Sequence, residues 1–166
     1  MKNPSITIRT ANEHDADGIL ACLVAAFEPY RTRYTPEAFL DTVLTPVTIA
    51  HRLAEMTVLV ATDDSGHVLG TIACSIVDSC EGHLRGMAVL PSLQGTGVAS
   101  RLLAGAESYF LEKNCTRISL DTTAPLHRAI RFYERAGFRP SGRVQDFFGM
   151  PLFEYTKPLS FHQPRG

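Results

Sequence analysis

Two glycines spaced by one residue lie where a strand-like segment gives way to a helix-like segment. The strand-like segment ends near Leu90, and Gly95 and Gly97 precede the helix-like segment that follows. Glycine lets the backbone approach a ligand closely, and the free amides of a helix's first turn favour an anion there. A diphosphate would fit such a loop, although a tight strand-to-helix turn without a ligand explains the same residues.

The segments near the N-terminus predict one strand and two helices. The run ITIRT alternates as a strand does, and Thr10 followed by Glu13 has the pattern of a capping box that opens a helix. Thr35 and Pro36 predict the N-cap and first turn of a second helix, which runs to about Leu44. Residues 46–55 favour a partly helical segment.

From residue 57 on, the hydrophobic pattern alternates between the period of strands and the period of helices. The predicted strands are 57–62, 67–77, 83–90, 117–123, 143–148 and 152–156, and the predicted helices are 94–114 and 126–136. Pro125 opens the last helix, and Gly137 stands where a left-handed C-cap is expected. The whole order predicts an α/β (mixed α+β) fold, with a mixed sheet flanked by about four helices.

Length and composition are those of one globular domain. The chain has 166 residues, 45% hydrophobic and 20% charged, with 16 basic and 17 acidic side chains. We therefore expect a single domain over residues 1–166 with its own core. No basic excess suits a nucleic acid, and no apolar run is long enough for a signal peptide or a membrane span. These features predict a soluble, cytoplasmic protein that binds neither nucleic acid nor membrane.

Cysteine and histidine spacing gives no indication of a metal site or a disulfide framework. The four cysteines lie mostly in apolar segments without a CxxC pair, which predicts reduced core thiols. The six histidines are single, with no HxH or HxxxH pair. The sequence therefore predicts no bound metal.

Two segments around the glycine loop resemble motifs of the GNAT superfamily of N-acetyltransferases. Residues 87–103, with Gln94, Gly97 and Ala99 at the key positions, are similar to its motif A, Q/R-x-x-G-x-G/A. Residues 129–138 look like its motif B, in which a tyrosine, here Tyr133, precedes a Gly-Phe pair. The resemblance covers about residues 57–138, and it leaves the flanks matched only in element order.

The resemblance implies a binding site for acetyl-CoA between two splayed parallel strands, 83–90 and 117–123, within a largely antiparallel sheet. The pantetheine arm would bond to the backbone of 87–89, and the pyrophosphate would rest on amides of 94–100. The implied cofactor-binding residues are Met87, Ala88, Val89, Gln94, Gly95, Thr96, Gly97, Val98, Ala99 and Ser100. One departure is Leu126, because the family often has asparagine at that position.

The implied reaction is direct attack of a primary amine on the thioester in a ternary complex. An amine with a pKa of about 10.4 must first lose a proton, so a base is needed. Backbone amides near Val89 would stabilise the negative charge on the thioester oxygen. Tyr133 matches the tyrosine that protonates the departing thiolate in many members, and a packing role for this side chain is the alternative.

The base has several candidates. Glu81 and His83 begin the strand that would hold the coenzyme, at the end where many family members carry a carboxylate or a chain of waters. We favour Glu81 as the base, with His83, Asp121 and water as alternatives. If Glu81 is not the base, it is a solvated turn residue. Acceptor recognition in the family comes from the first two helices and the last hairpin, which indicates Tyr30, Tyr34 and Phe147, each with packing as the alternative.

The sequence predicts an acetyl-CoA-dependent N-acyltransferase that acts on a small molecule or a peptide and that forms a homodimer through its apolar C-terminal strands. Two other functions are weighed. A non-catalytic acetyl-CoA-binding or regulatory module of the same fold would carry the same motifs. A dinucleotide-binding oxidoreductase would use the glycines with Asp121, but Ser100 replaces its third glycine and residues 91–94 separate strand from glycines.

Overall fold

The computed structural model describes residues 5–160, which form seven strands and five α-helices. The strands are β1 (Thr7–Thr10), β2 (Thr57–Thr62), β3 (Val68–Ile76), β4 (Glu81–Val89), β5 (Arg117–Thr122), β6 (Arg139–Phe147) and β7 (Met150–Pro158). The helices are α1 (Ala16–Phe27), α2 (Pro36–Val43), α3 (Pro46–Glu55), α4 (Val98–Glu112) and α5 (His127–Arg135). Short 3-10 turns cover Glu13–Asp15, Glu28–Arg33 and Pro91–Leu93.

All seven strands form one sheet in the order β1-β2-β3-β4-β5-β7-β6. Every neighbouring pair is antiparallel except β4 and β5, which are parallel and are connected through α4. The predicted mixed, largely antiparallel sheet with one parallel pair is therefore confirmed. Because β4 and β5 are parallel neighbours, the loop that follows β4 lies at the same edge of the sheet as the end of β5.

The two faces of the sheet are covered by different helices, and strand alternation explains how. In β2, Val58 and Val60 pack with side chains of α1, α2 and α3, whereas Leu59 and Ala61 pack with α4 on the opposite face. Both pairs are less than 10% exposed. The aromatic residues of α5 join the α4 side, so the two helices that carry the resemblance motifs share one hydrophobic cluster.

Three details differ from the sequence prediction. Residues 46–55 are helical throughout as α3, so there are five helices where about four were expected. The capping box before α1 uses Asn12 and Asp15, and the predicted use of Thr10 and Glu13 was wrong because Thr10 ends β1. Cys80 is exposed, whereas Cys22, Cys74 and Cys115 are buried free thiols as predicted.

Two features are absent from the part of the chain that the structure describes. Among residues 5–160, no cluster of three or more histidine, cysteine, aspartate or glutamate side chains could hold a metal ion. In the same part of the chain, none of the helices has the length and apolar character needed to cross a membrane.

Candidate active site

A cleft opens where β4 and β5 separate. Their parallel pairing runs only from Glu81 opposite Arg117 to Leu84 opposite Leu120. Immediately beyond, the pairing of β4 with β3 is interrupted by a bulge, and Gly86 in the bulge has a φ of +61°. The last residues of β4 therefore bond to β3 on one side only. The resulting cleft has a volume of about 1040 Å³ and is lined by both strands, by α5 and by the loop before α4.

Backbone groups of β4 point into this gap. The amide of Leu90 donates to the carbonyl of Leu69 on the β3 side, so by strand alternation the backbone of Val89 faces the other way. Consistent with this direction, the Val89 carbonyl accepts a hydrogen bond at 3.2 Å from Nε2 of Gln94. The Val89 amide consequently lies at the open edge of the strand, where an extended ligand can pair with it.

The loop after β4 exposes a set of unpaired amides. Helix α4 has Gly97 as its N-cap, with a φ of +94° and no side-chain capping bond. The first bond of the helix runs from Arg101 to the Gly97 carbonyl, so the amides of residues 98–100 have no helical partner. A Cβ at Gly97 would meet no atom within 4 Å, which means the space over these amides is open. This end of the helix can receive an anion.

Eight of the ten predicted cofactor-binding residues line the cleft, and two do not. The eight are Met87, Ala88, Val89, Gln94, Gly95, Gly97, Ala99 and Ser100. The side chain of Val98 is 1% exposed in the core, and the Thr96 hydroxyl donates to the Leu93 carbonyl. Any contribution of these two residues to a ligand would therefore come from the backbone.

Arg128 lies beside the loop that precedes α4, although it is not one of the site residues predicted from the sequence. Its Nη1 lies 3.4 Å from Oε1 of Gln94, and its Nη2 would be 3.1 Å from a Cβ placed at Gly95, closer than an ordinary van der Waals contact. Arg128 is in the first turn of α5, next to Leu126, which is the N-cap of that helix and makes no side-chain capping bond. A cation beside unpaired helix amides suits a phosphate. The sequence signal that could have identified Arg128 is its position directly before Ala129, where the second motif begins.

Tyr133 lies at the inner end of the cleft. Its ring packs against Phe138 with centroids 5.7 Å apart, and the residue is 7% exposed. The hydroxyl makes no hydrogen bond with the described residues. It is nevertheless not one of the fully buried polar atoms that lack a hydrogen-bond partner. Burial raises the pKa of Tyr133, which keeps the phenol protonated. Tyr133 therefore combines a packing ring with a proton-bearing hydroxyl at the cleft.

His83 and Asp121 meet where the two strands begin to separate. Nε2 of His83 is 3.4 Å from Oδ2 of Asp121, and Nδ1 of His83 is 2.8 Å from Oγ of Ser119. Ser119 is the residue opposite His83 in the parallel ladder, and Asp121 follows two residues later on the same face. Both side chains line the cleft and are 15% and 27% exposed. A carboxylate and an imidazole thus lie together in the cleft, at the point where β4 and β5 begin to separate.

Glu81 is not brought to the cleft. It lies at the start of β4, opposite Arg117, and its Oε1 accepts a hydrogen bond from Nε of Arg117. Two residues of a strand span about 7 Å, so Glu81 is that much farther from the strand opening than His83. The structure therefore groups His83 with Asp121. Glu81, two residues earlier on β4, forms an ion pair with Arg117 instead.

The three aromatic residues predicted at the acceptor end, Tyr30, Tyr34 and Phe147, all line the cleft. Tyr34 also has a packing role, because it is 8% exposed and its hydroxyl lies 2.6 Å from Oγ1 of Thr123. Burial raises the pKa of Tyr34. The hydroxyl of Thr35 donates to the Phe148 carbonyl at 2.8 Å, which joins the tip of the β6–β7 hairpin to the N-terminus of α2. These contacts tie the loop before α2 to the end of β5 and to the β6–β7 hairpin.

The chain belongs to the acetyltransferase (GNAT) family, because the model of that family matches residues 19–138. The match begins within α1 and extends through α5, and it includes β2 to β5 and both resemblance motifs. No curated protein sequence matches the chain.

Solved structures of GNAT proteins share the fold. A GNAT acetyltransferase from Staphylococcus aureus Mu50 is 20% identical, with a TM-score of 0.77 over 94% of this chain and 100% of that one. The PaiA N-acetyltransferase of Thermoplasma acidophilum, solved with coenzyme A, is 18% identical, with a TM-score of 0.77 over 93% and 99%. The ribosomal-protein-S18-alanine N-acetyltransferase of Escherichia coli is 17% identical, with a TM-score of 0.74 over 98% and 99%.

Proposed function

We propose that the protein transfers an acetyl group from acetyl-CoA to the primary amine of a small molecule or peptide, by direct attack in a ternary complex. The observation that carries the proposal is the grouping of His83 and Asp121 at the point where β4 and β5 separate. A proton-accepting pair at that point faces the same cleft as the Val89 backbone and Tyr133. Membership of the acetyltransferase family supports the same reaction.

The residues of the cleft fit acetyl-CoA. The open edge of β4 just before Val89 can pair with the amide groups of the pantetheine arm, as a further strand would, which leaves the Val89 amide for the thioester oxygen. The unpaired amides of residues 98–100 and the Arg128 guanidinium suit its phosphates. When bound, this co-substrate supplies an acetyl thioester that an amine can attack. The coenzyme A in the Thermoplasma acidophilum structure adds support from a protein of the same fold.

In the proposed mechanism, His83 and Asp121 remove the proton from the acceptor. With a proton on Nδ1, His83 donates to Ser119 Oγ and presents the lone pair of Nε2 to the cleft. Nε2 and the Asp121 carboxylate then form two acceptors 3.4 Å apart, which a protonated amine can bridge. Asp121 binds the ammonium, Nε2 takes its proton, and the carboxylate stabilises the resulting imidazolium.

The Val89 amide and Tyr133 act on the other side of the reaction. The amide donates to the thioester oxygen as negative charge develops there. The Tyr133 hydroxyl donates its proton to the sulfur as the carbon–sulfur bond breaks. Because burial raises the pKa of Tyr133, its proton is in place throughout the neutral range.

An amine screen tests the proposal. The wild-type protein is incubated with acetyl-CoA and a panel of primary amines, and thiol release is followed with a chromogenic thiol reagent. We expect turnover that depends on the amine, together with acetylated product detected by mass spectrometry. If acetyl-CoA binds by calorimetry but no amine raises thiol release above hydrolysis, the protein is the non-catalytic module instead.

We also propose that the protein forms a homodimer through β6. This strand is an edge of the sheet, and eight of its nine residues are exposed, including Val144 at 55%. An uncovered edge strand can pair with the same strand of a second copy. Sedimentation velocity should give a dimer that Val144→Pro dissociates, whereas a monomer at all concentrations would contradict it.

A further inference from the structure

The acceptor end of the cleft contains two arginines that the proposed mechanism does not use. Arg52 of α3 and Arg85 of β4 both line the cleft, together with Asp41 and Glu55. Arg52 is half-buried and its guanidinium lies against Gly86, where a methyl group would overlap with Nη1. Gly86 is the bulge residue at which β4 departs from β5, so this cation stands beside the opening of the strand gap.

The charge of Arg52 is not neutralised by an ion pair. Within residues 5–160, no carboxylate lies within 4.0 Å of its guanidinium, and none of its side-chain nitrogens makes a hydrogen bond. The charge of Asp41 acts on Arg52 from a distance, and Oδ2 of Asp41 lies 3.5 Å from Nη2 of Arg85. Burial, and secondly the charge of Arg85, lower the pKa of Arg52 to about 10. The negative charge of a bound anion would offset both effects.

We infer that Arg52, assisted by Arg85, binds a carboxylate carried by the acceptor, so that the substrate is a small amino-carboxylate. This inference rests on the proposed acetyl transfer to an amine. A half-buried guanidinium without a partner offers the planar pair of donors that a carboxylate accepts in bidentate fashion. Its five donors cannot be satisfied by an amine, because an ammonium has only donors and the same charge.

The layout of β4 separates the two ends of such a substrate. His83 and Arg85 lie on one face of the strand, about 7 Å apart along it. The ammonium end would meet His83 and Asp121, and the carboxylate end would meet Arg85 and Arg52 next to Gly86. Opposite charges at the two ends fix the orientation of the substrate and present its amine to the strand gap.

Matched pairs of acceptors test the inference. Glycine, β-alanine, 4-aminobutanoate, 5-aminopentanoate and the L-amino acids are each compared with their carboxamides in the thiol-release assay. We expect at least one carboxylate to be used about 10- to 100-fold better in kcat/KM than its carboxamide. Equal or better use of the carboxamides overturns the inference while leaving the proposed acetyl transfer intact. No turnover with any amine refutes the acetyl transfer itself.

Substitutions at Arg52 locate the effect. Arg52→Met should reduce the preference for the carboxylate to near unity with little change in carboxamide turnover, and Arg52→Lys should retain part of it. Arg33→Met is the matched control, because Arg33 is exposed and is not part of the cleft lining. Thermal unfolding of each variant establishes that it is folded. A carboxylate preference that survives in Arg52→Met would overturn the assignment, and the milder lysine variant keeps the test valid if methionine unfolds the protein.

Asp41→Asn should improve use of the carboxylate acceptor, whereas Arg52→Met should impair it. Removing the resident carboxylate beside Arg85 should lower KM for the carboxylate acceptor several-fold, because Asp41 competes for the same cations. If the acceptor instead carried a second positive charge bound by Asp41, the same variant would raise KM. A raised KM therefore contradicts the inference directly.

Discussion

Replacing His83 by glutamine tests the proposed base most directly. Glutamine can still bond to Ser119 and Asp121 but accepts no proton at neutral pH, so the variant removes the base and leaves a polar side chain in its place. General base catalysis contributes about 10²- to 10⁴-fold to rate. Because His83 is only 15% exposed, water replaces it poorly, and we expect a loss of about 10³-fold in kcat/KM at pH 7.

The loss should depend on pH in a predictable way. An amine with a pKa of about 10.4 is neutral to the extent of about 1 part in 2,500 at pH 7 and about 1 part in 25 at pH 9. The fraction of acceptor that needs no base thus rises about 100-fold over this interval. In His83→Gln the deficit should accordingly shrink from about 10³-fold to about 10-fold, as measured by initial rates of thiol release between pH 6.5 and 9.5.

Glu81→Gln is the matched control for this experiment. Glu81 lies on the same strand and the same face, but it is paired with Arg117 away from the cleft. Losing this pair should change stability by no more than about 1 kcal/mol and leave the pH profile unchanged. If His83→Gln has the wild-type profile, or if Glu81→Gln shows the deficit that recovers with pH, the reasoning about His83 and Asp121 is refuted.

Three further predictions concern the thiolate, the coenzyme and the fold. Tyr133→Phe should lower kcat by about 10²-fold with little change in KM, and unchanged steady-state turnover would reduce Tyr133 to a packing residue. Gly97→Glu should weaken acetyl-CoA binding in calorimetry at least ten-fold more than Gly97→Ala does. Both substitutions strain a φ of +94°, but only glutamate places a negative charge over the helix amides. Equal affinities of the two variants would show that the loop does not bind the phosphates. The Arg9 guanidinium lowers the pKa of Asp15 below its usual range, so this carboxylate stabilises the fold above its unfolded-state pKa and loses its contribution as pH falls through the folded pKa. Asp15→Asn should therefore cost about 1–3 kcal/mol in urea unfolding at pH 7 and less below pH 3, and an equal cost at both pH values would contradict the ion pair.

Local chemistry explains why most elements could be predicted from the sequence. The N-cap Thr35 with Pro36, the glycines of the loop before α4 and the alternation of β2 act over a few residues, and the structure has each element where these signals lie. The start of α1 is the instructive exception. Thr10 and Asn12 are both acceptable caps, and the pairing of Thr10 with Leu59 of β2 excludes the first of them.

The candidate site also has parts that local sequence indicates and parts that only the tertiary structure shows. The sequence by itself determined the family resemblance and placed the glycine loop before α4 and the tyrosine of α5, because each depends on residues close together in the chain. It also indicated Glu81 and His83 at the start of the strand that would hold the coenzyme, but only the tertiary structure decided where along β4 the cleft begins. That point is set by β5, which pairs with β4 as far as Leu84 opposite Leu120 and then separates from it. Arg52, from a helix some thirty residues earlier, reaches the same point because α3 packs beside the bulge at Gly86. Pairing between distant segments has no local signature in one sequence, so the cleft and its charges emerge only when the sheet is assembled.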